Sequence, residues 1–150
     1  RASEKYGGIK IVGEFYHVEN ADAAAAEVLR VNSDHPNLKG WAMVGGWPFF
    51  NENLLDKIDP QKIKIVAVDA LPVQLPYLEK GIVNLFLGQP TFQWGKVCVE
   101  NIVDKLHHKR VVKEIIEMKL IPVTIDNLGG WSRQLRAWGY KGLPDKYLVM

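Results

Sequence analysis

The sequence predicts an α/β fold in which an open parallel sheet is flanked by helices. Two apolar segments, residues 63–68 and 82–87, have the composition of buried strands, and a helical stretch at residues 71–79 separates them. A third strand at residues 40–44 precedes this pair by roughly 20 residues, the spacing expected of strand–helix units. We therefore expect parallel strands joined by helices.

The composition fits one domain with a core of its own. The chain has 150 residues, of which 47% are hydrophobic and 24% charged, which is ordinary for a globular protein. A formal charge of +2 is too small to indicate binding to nucleic acid or to a membrane surface. Cys98 is the single cysteine, so no intrachain disulfide can form.

The N-terminal region predicts a helix end, a strand and a second helix. Residues 1–8 resemble the last turns of a helix that ends at Gly7-Gly8, since glycine favours the position after a helix. A start inside a helix, with no signal peptide, leads us to expect a fragment or one half of a longer protein. Residues 9–15 suit a first strand, and Asn20 can cap an alanine-rich helix over residues 21–32.

Further turns and helices follow in the order that an α/β chain requires. Residues 34–37 form a turn that leads to the strand at 40–44, and Gly45-Gly46-Trp47-Pro48 breaks that strand. We expect a helix over residues 49–57 and a second turn at Asp59-Pro60, after which the strand at 63–68 begins.

The longest predicted helix covers residues 91–107 and has one apolar face. Cys98 lies on this face, so we expect its thiol to be buried rather than nucleophilic. His107 and His108 point in different directions and lack a carboxylate partner, so they do not predict a metal site. The apolar face comprises Trp94, Val97, Cys98, Ile102 and Leu106.

The C-terminal third is less regular. Residues 111–125 are apolar and β-branched with Pro122 inside, which points to an edge strand or a crossing segment. Apolar spacing from Asp126 onwards predicts a final helix, and residues 143–150 form a tail.

Two polar residues stand where strands of the predicted sheet end. Asp69 follows the strand at 63–68, and Gln89 follows the strand at 82–87. Ligands of open parallel sheets bind beyond the carboxyl ends of the strands, so these two residues are the first candidates for binding. The structural alternatives are a helix cap for Asp69 and a loop residue before Pro90 for Gln89.

Several motifs together resemble the C-terminal lobe of the type 1 periplasmic sugar-binding proteins, the receptors of ABC importers for ribose, galactose and xylose. The stretch VDALPVQLPYLEKGIVNLFLGQPTFQWG has the family's aspartate at a strand end, a helix closing on Lys-Gly, a strand, and Gln-Pro before a long helix. HPNLKGWAMVGG and VTIDN match the preceding strand and the closing segment. The resemblance covers residues 9–128 and implies a Rossmann-like lobe, one of two that close on a sugar.

The resemblance also implies which residues bind the sugar. The family's strand-end aspartate corresponds to Asp69 and its amide to Gln89, whereas its Asn-Asp pair falls on Gly45-Gly46, which has no side-chain amide. Trp47 on this loop can offer an aromatic face instead, or can belong to the core. The family's arginine and the first lobe would lie outside this chain.

Two further residues are weaker candidates, and other motifs are excluded. His17 and Glu19 lie on the loop after the first predicted strand, where they line the rim of the cleft or belong to an ordinary solvated loop. The glycine pairs lack the spacing of phosphate-binding loops. No cofactor or metal is predicted.

The resemblance implies non-catalytic binding of a monosaccharide and delivery to an ABC permease. The location would be periplasmic, or extracellular with a lipid anchor. One lobe alone would leave the apolar face of the helix at 91–107 uncovered, so we expect it to contact the first lobe or another copy of the fragment. Two alternatives remain open, the effector domain of a lac-repressor-type regulator and, with less support, an α/β enzyme that uses Asp69.

Overall fold

The computed structural model describes residues 2–150, with side chains from residue 4 onwards, and contains the predicted open α/β sheet. Within this range the strands are β1 (Gly40–Ala42), β2 (Lys64–Asp69), β3 (Leu85–Gly88) and β4 (Ile121–Val123), in the spatial order β1-β2-β3-β4. The first three are parallel, and β4 runs antiparallel to β3. The sheet is therefore mixed rather than wholly parallel, with β4 as the edge strand that Pro122 predicted.

The helices confirm most of the predicted order. Asn20 caps the second helix as expected, since its side chain accepts a hydrogen bond from the amide of Ala23 at 3.0 Å. The helices are α1 (Ala2–Lys5), α2 (Ala21–Asp34), α3 (Leu75–Glu79), α4 (Thr91–Leu106), α5 (Leu128–Ala137) and α6 (Asp145–Leu148). None of the helices in the described range is long and apolar enough to cross a membrane.

The core lies on one face of the sheet because the strands alternate. Ile65 and Ala67 are buried, whereas Val66 between them is 37% exposed. Phe49 sits at the centre of this core, with its ring 5.0 Å from that of Tyr77 and 5.4 Å from that of Phe86. Edge-to-face packing of these rings joins the loop after β1 to α3 and β3.

The predicted first strand at residues 9–15 is wrong. These residues form no regular secondary structure and are largely exposed, and no backbone hydrogen bond joins them to β1 in the described part of the chain. A ring contact of 5.8 Å between Phe15 and Trp41 is the link to the sheet that the structure shows. Apolar, β-branched composition does not make a strand unless the segment pairs with a neighbouring strand, and the described residues 9–15 do not pair with β1.

The predicted helix at residues 49–57 is also wrong. A 3₁₀ turn over Trp47–Phe49 is followed by turns rather than by an α-helix. The side chain of Asn51 accepts a hydrogen bond from the amide of Asn53 at 3.0 Å, so it competes with helical bonding of the backbone. The apolar side chains of Leu55 and Ile58 are nevertheless buried, so this irregular segment still contributes to the core.

Two neighbouring elements begin differently from the prediction. The helix expected from residue 71 starts as a 3₁₀ turn over Pro72–Gln74 before α3, and the strand expected from residue 82 starts at Leu85. Pro76 lacks the amide hydrogen that a continuous α-helix would use to bond the carbonyl of Pro72, which explains the short α3.

Cys98 is exposed, so the expectation of a buried thiol is wrong. The physical reason is that α4 has no buried residue at all. Its apolar face exists as predicted, but no residue on it is buried in the described chain.

The C-terminal tail is an ordered part of the fold. Tyr147 of α6 is buried, and its hydroxyl donates to the Glu79 carboxylate at the end of α3 at 2.6 Å. Lys146 donates to the same carboxylate at 2.6 Å. Hydrogen bonding from Lys146, and then from Tyr147, lowers the pKa of Glu79. The ionised carboxylate therefore helps to hold α6 against α3.

We expect Glu79→Gln to lower the free energy of unfolding by about 1 kcal/mol at neutral pH. The effect is modest because the ion pair between Glu79 and Lys146 is partly exposed and screened by solvent. Because folding lowers the pKa of Glu79, its contribution is present above the ordinary glutamate pKa and is lost as the pH falls through the folded value. The difference between wild type and variant should therefore shrink in acid. Urea unfolding at several pH values measures this, with the exposed Glu114→Gln as control. A difference that is constant with pH would contradict the assignment.

Candidate functional site

The two strand-end candidates meet at the carboxyl edge of the sheet. Asp69 is the last residue of β2 and pairs in register with Gly88, the last residue of β3. Gln89 follows directly, and its Nε2 donates a hydrogen bond to Oδ1 of Asp69. Both side chains are partly buried. The sequence prediction that these residues share one edge is therefore matched by their positions.

The chain turns at Asp69 through an uncommon backbone conformation. Asp69 has φ of 89° and Ala70 has φ of 56°, which lie in the left-handed region that residues with a side chain seldom adopt. Such residues cost on the order of 1–3 kcal/mol each and persist where their surroundings fix them. One such support is visible, since the indole Nε1 of Trp131 donates to the carbonyl of Ala70 at 2.7 Å.

Gln74 is the second support of this corner. Its side chain is fully buried, which is rare for glutamine without hydrogen-bond partners. Its Oε1 accepts from the amide of Leu71 at 2.7 Å, and its Nε2 donates to the carbonyl of Gly46 at 3.1 Å. Gln74 therefore ties the loop after β1 to the turn after β2.

Glycine is required where backbones approach these side chains. A Cβ added at Gly46 would collide with Oδ2 of Asp69 and Nε2 of Gln74, and one at Gly88 would lie 2.7 Å from Cη2 of Trp131. At Gly46, where the resembling family has its Asn-Asp pair, the backbone thus contacts Asp69 without an intervening side chain.

A cavity of about 170 Å³ opens beside Asp69 and Gln89. Its polar groups include the Asp69 carboxylate, the Gln89 amide and the Thr91 hydroxyl, while α5 and the turn after it supply aromatic walls. A second cavity of about 280 Å³ adjoins it and shares Thr91, Trp138 and Tyr140. The first is lined by Asp69, Leu71, Gln89, Thr91, Trp131, Leu135, Trp138 and Tyr140.

Three further predicted site residues do not line this cavity. Trp47 is half-buried and packs edge-on against Phe50 at 5.0 Å, and it lines neither cavity. His17 and Glu19 are on the exposed N-terminal segment, where Nδ1 of His17 lies 2.7 Å from the carbonyl oxygen of Val18. The roles assigned to these three residues in binding stay predictions.

Sequence reasoning missed Gln74, Trp131, Trp138 and Tyr140 as parts of the site. The signal for Gln74 is a polar residue flanked by apolar residues between two prolines, since a polar group at a buried position needs partners. The signal for Trp138 is the Gly139 that follows it, because glycine after a helix fixes how the chain leaves. Trp131 gave no signal beyond apolar spacing.

The structure offers no metal site in residues 2–150, where no group of three or more His, Cys, Asp or Glu side chains could hold an ion. His107 and His108 have ring centroids 4.9 Å apart on the exposed end of α4.

We expect Gly46→Ala to destabilise the fold by about 1–3 kcal/mol, because the new methyl group overpacks the contact with Asp69 and Gln74. Gly95→Ala is the matched control, since a Cβ there meets nothing within 4 Å and lies in α4, where alanine favours the helix by about 1 kcal/mol. Urea unfolding of both variants measures the difference. Equal stability of the two would show that the approach at Gly46 relaxes freely.

Comparison with known proteins identifies the family. The sequence model of one protein family, the periplasmic binding protein domain, matches residues 1–110. No curated protein matches the chain. An ABC transporter solute-binding protein from Burkholderia graminis, solved with D-arabinose, is 25% identical, with a TM-score of 0.73 over 83% of this chain and 45% of its own.

Two further solved structures are similar in fold. A carbohydrate transporter solute-binding protein from Agrobacterium radiobacter, in complex with D-arabinose, is 16% identical, with a TM-score of 0.74 over 91% of this chain and 46% of its own. A LacI-type transcriptional regulator from Bacteroides fragilis is 17% identical, with a TM-score of 0.56 over 69% of this chain and 36% of its own. The chain thus spans about half the length of the solute-binding proteins it matches. Because the family model matches most of the residues of this chain, the chain belongs to the periplasmic binding protein domain family.

Proposed function

We propose that this chain is the second lobe of a receptor that binds a monosaccharide without catalysis and delivers it to an ABC importer. The observation that carries the proposal is the hydrogen-bonded pair Asp69 and Gln89 at the mouth of a cavity, on the carboxyl edge of the sheet. The first lobe would close over the opposite side of the sugar.

The pair has the chemistry that sugar hydroxyls require. The Gln89 bond occupies one site on Oδ1 of Asp69, so the carboxylate keeps further lone pairs for hydroxyl donors. Hydrogen bonds to a charged acceptor are about twice as strong as neutral ones. The carbonyl oxygen of Gln89 can accept a further hydroxyl, while its amide keeps the carboxylate oriented.

The charge of the cavity favours a neutral ligand. Its lining contains the Asp69 carboxylate and, among the described residues, no lysine, arginine or histidine. A sugar phosphate or sugar acid would meet this carboxylate without a compensating cation from this lobe, which is unfavourable in a partly buried site. A neutral pentose or hexose fits better.

The two alternative functions have less support. The regulator reading rests on a structure with a lower TM-score than the solute-binding proteins, and a shared fold does not carry function. An enzyme would need an activated nucleophile or a proton carrier beside Asp69. The lining of this cavity offers the hydroxyls of Thr91 and Tyr140 but no serine, cysteine or histidine.

Helix α4 is the surface that the first lobe would cover. It starts directly after Gln89-Pro90, and its apolar residues Ile102 and Leu106 are 57% and 63% exposed. Soluble monomers rarely expose a continuous apolar face of this kind. We propose that α4 packs on the first lobe, and that isolated copies of this chain pair through the same face.

The family assignment supports a periplasmic location. Attachment to a membrane through a lipid anchor, as an extracellular receptor, is a further proposal that concerns residues beyond this chain. Its partner in transport would be the membrane permease of an ABC importer.

We expect Asp69→Asn to weaken sugar binding by the full-length gene product by roughly ten- to a hundredfold, because ligand hydroxyls lose a charged acceptor. The fold should survive, since an asparagine oxygen can still accept the hydrogen bond from Gln89. Calorimetric titration with neutral pentoses and hexoses measures the affinity, and Asp22→Asn on the exposed surface of α2 is the control. Unchanged affinity in the folded Asp69→Asn variant would contradict the site.

We expect the isolated 150-residue chain to self-associate and to bind the first lobe when the halves are mixed. Ile102→Glu should weaken both contacts, because it places a charge on the apolar face of α4. Val44→Glu is the matched control, since Val44 is 92% exposed and lies outside α4. Sedimentation velocity measures association. A monomer that binds sugar tightly by itself would refute both the two-lobe proposal and the pairing.

A further inference from the structure

We infer that Trp138, with Tyr140 beside it, is the specificity-determining wall of this site, on which the C–H face of a ring-form sugar packs. The inference rests on the proposed function. Among the tryptophans of the described chain, Trp138 alone lines both of the adjoining cavities, and Tyr140 lines both as well. These two side chains therefore border both the cavity beside Asp69 and Gln89 and the cavity that adjoins it.

The end of α5 fixes where these two residues stand. Gly139 follows the helix with φ of +89°, and its amide donates to the carbonyl of Arg136 at 3.0 Å. The amide of Tyr140 donates to the carbonyl of Leu135 at 3.1 Å. This pair of bonds around a left-handed glycine is a Schellman motif. It sets Trp138 and Tyr140 on either side of a rigid turn at the cavity.

Neighbouring rings hold the indole of Trp138 in place. Its plane is perpendicular to that of Trp131, with centroids 5.6 Å apart, and parallel to that of Phe92, with centroids 6.0 Å apart. Trp131 is itself anchored by its hydrogen bond to Ala70. The wall is thus tied through Trp131 to the same corner that carries Asp69, so that a ligand meets a surface already ordered.

The cavity separates polar from apolar groups in the way a sugar ring does. Asp69, Gln89 and Thr91 offer hydrogen-bonding groups, whereas Trp138 and Leu135 offer apolar surface. A ring-form sugar has hydroxyls around its edge and C–H groups on its faces, so it can satisfy both kinds of group at once. Tyr140 adds an aromatic surface with a hydroxyl at its tip.

The test uses the full-length gene product and a panel of neutral pentoses and hexoses. For the sugars that bind, we expect Trp138→Leu to weaken affinity by roughly five- to tenfold, and Trp138→Phe to weaken it less, because a ring remains. Sugar binding should change tryptophan emission, and Trp138→Phe should remove most of that change. Trp41→Leu and Trp41→Phe are the matched controls, since Trp41 in β1 lines neither cavity. Thermal unfolding verifies that each variant is folded.

Each result decides the matter. If the sugar affinity and the emission change both survive in the folded Trp138 variants, the inference is overturned. Loss of both in the Trp41 variants would overturn it as well. If Asp69→Asn abolishes binding while Trp138→Leu leaves it intact, the proposed function stands and the wall does not. A protein that binds none of the panel overturns the proposed function and this inference with it.

Discussion

The left-handed corner at Asp69 and Ala70 is the constraint on which the rest of this site depends. Two successive residues with side chains occupy a backbone region that is costly for both, so the conformation must be held from outside. Three hydrogen bonds surround it, from Gln89 to Asp69, from Trp131 to Ala70, and from Leu71 to Gln74. These supports come from different elements, which is why the corner joins the site into one unit.

The side chains around this corner also explain two glycines whose backbone conformation alone would not require glycine. Gly46 and Gly88 have ordinary backbone angles, yet a side chain at either position would strike Asp69 or Trp131. The space is limited because the side chains of Asp69, Gln74 and Trp131 lie close to the backbone of these glycines. Packing of this density tolerates few changes of volume, so the strand-end loops are fixed by their neighbours rather than by their own turn propensity.

The sequence predicted those parts of the fold that local chemistry decides. Strand-end position placed Asp69 and Gln89 at one edge, and Pro122 marked an edge strand, because both follow from how parallel strands and proline behave. The prediction of a strand at residues 9–15 was wrong for the opposite reason. A strand forms only when it pairs with a neighbouring strand, and the composition of the segment does not determine that pairing. The predicted burial of the Cys98 thiol was wrong in the same way, because an apolar helix face is buried only when a partner surface is present.

The junction at Gln89 and Pro90 connects the site to the surface that remains uncovered. Gln89 orients the Asp69 carboxylate, and the next residues begin α4, whose Phe92 stacks on Trp138. A shift of α4 would therefore act on both halves of the cavity, the polar pair through Gln89 and the aromatic wall through Phe92. If the first lobe packs on α4 as proposed, docking of that lobe and occupation of the sugar site act on the same short stretch of chain. A ligand that binds one arrangement of α4 more tightly than another then shifts the balance between them by that difference in affinity. Two of the supports of the corner, the hydrogen bonds of Gln74 and of Trp131, have no partner in α4, whereas the third comes from Gln89 at its start.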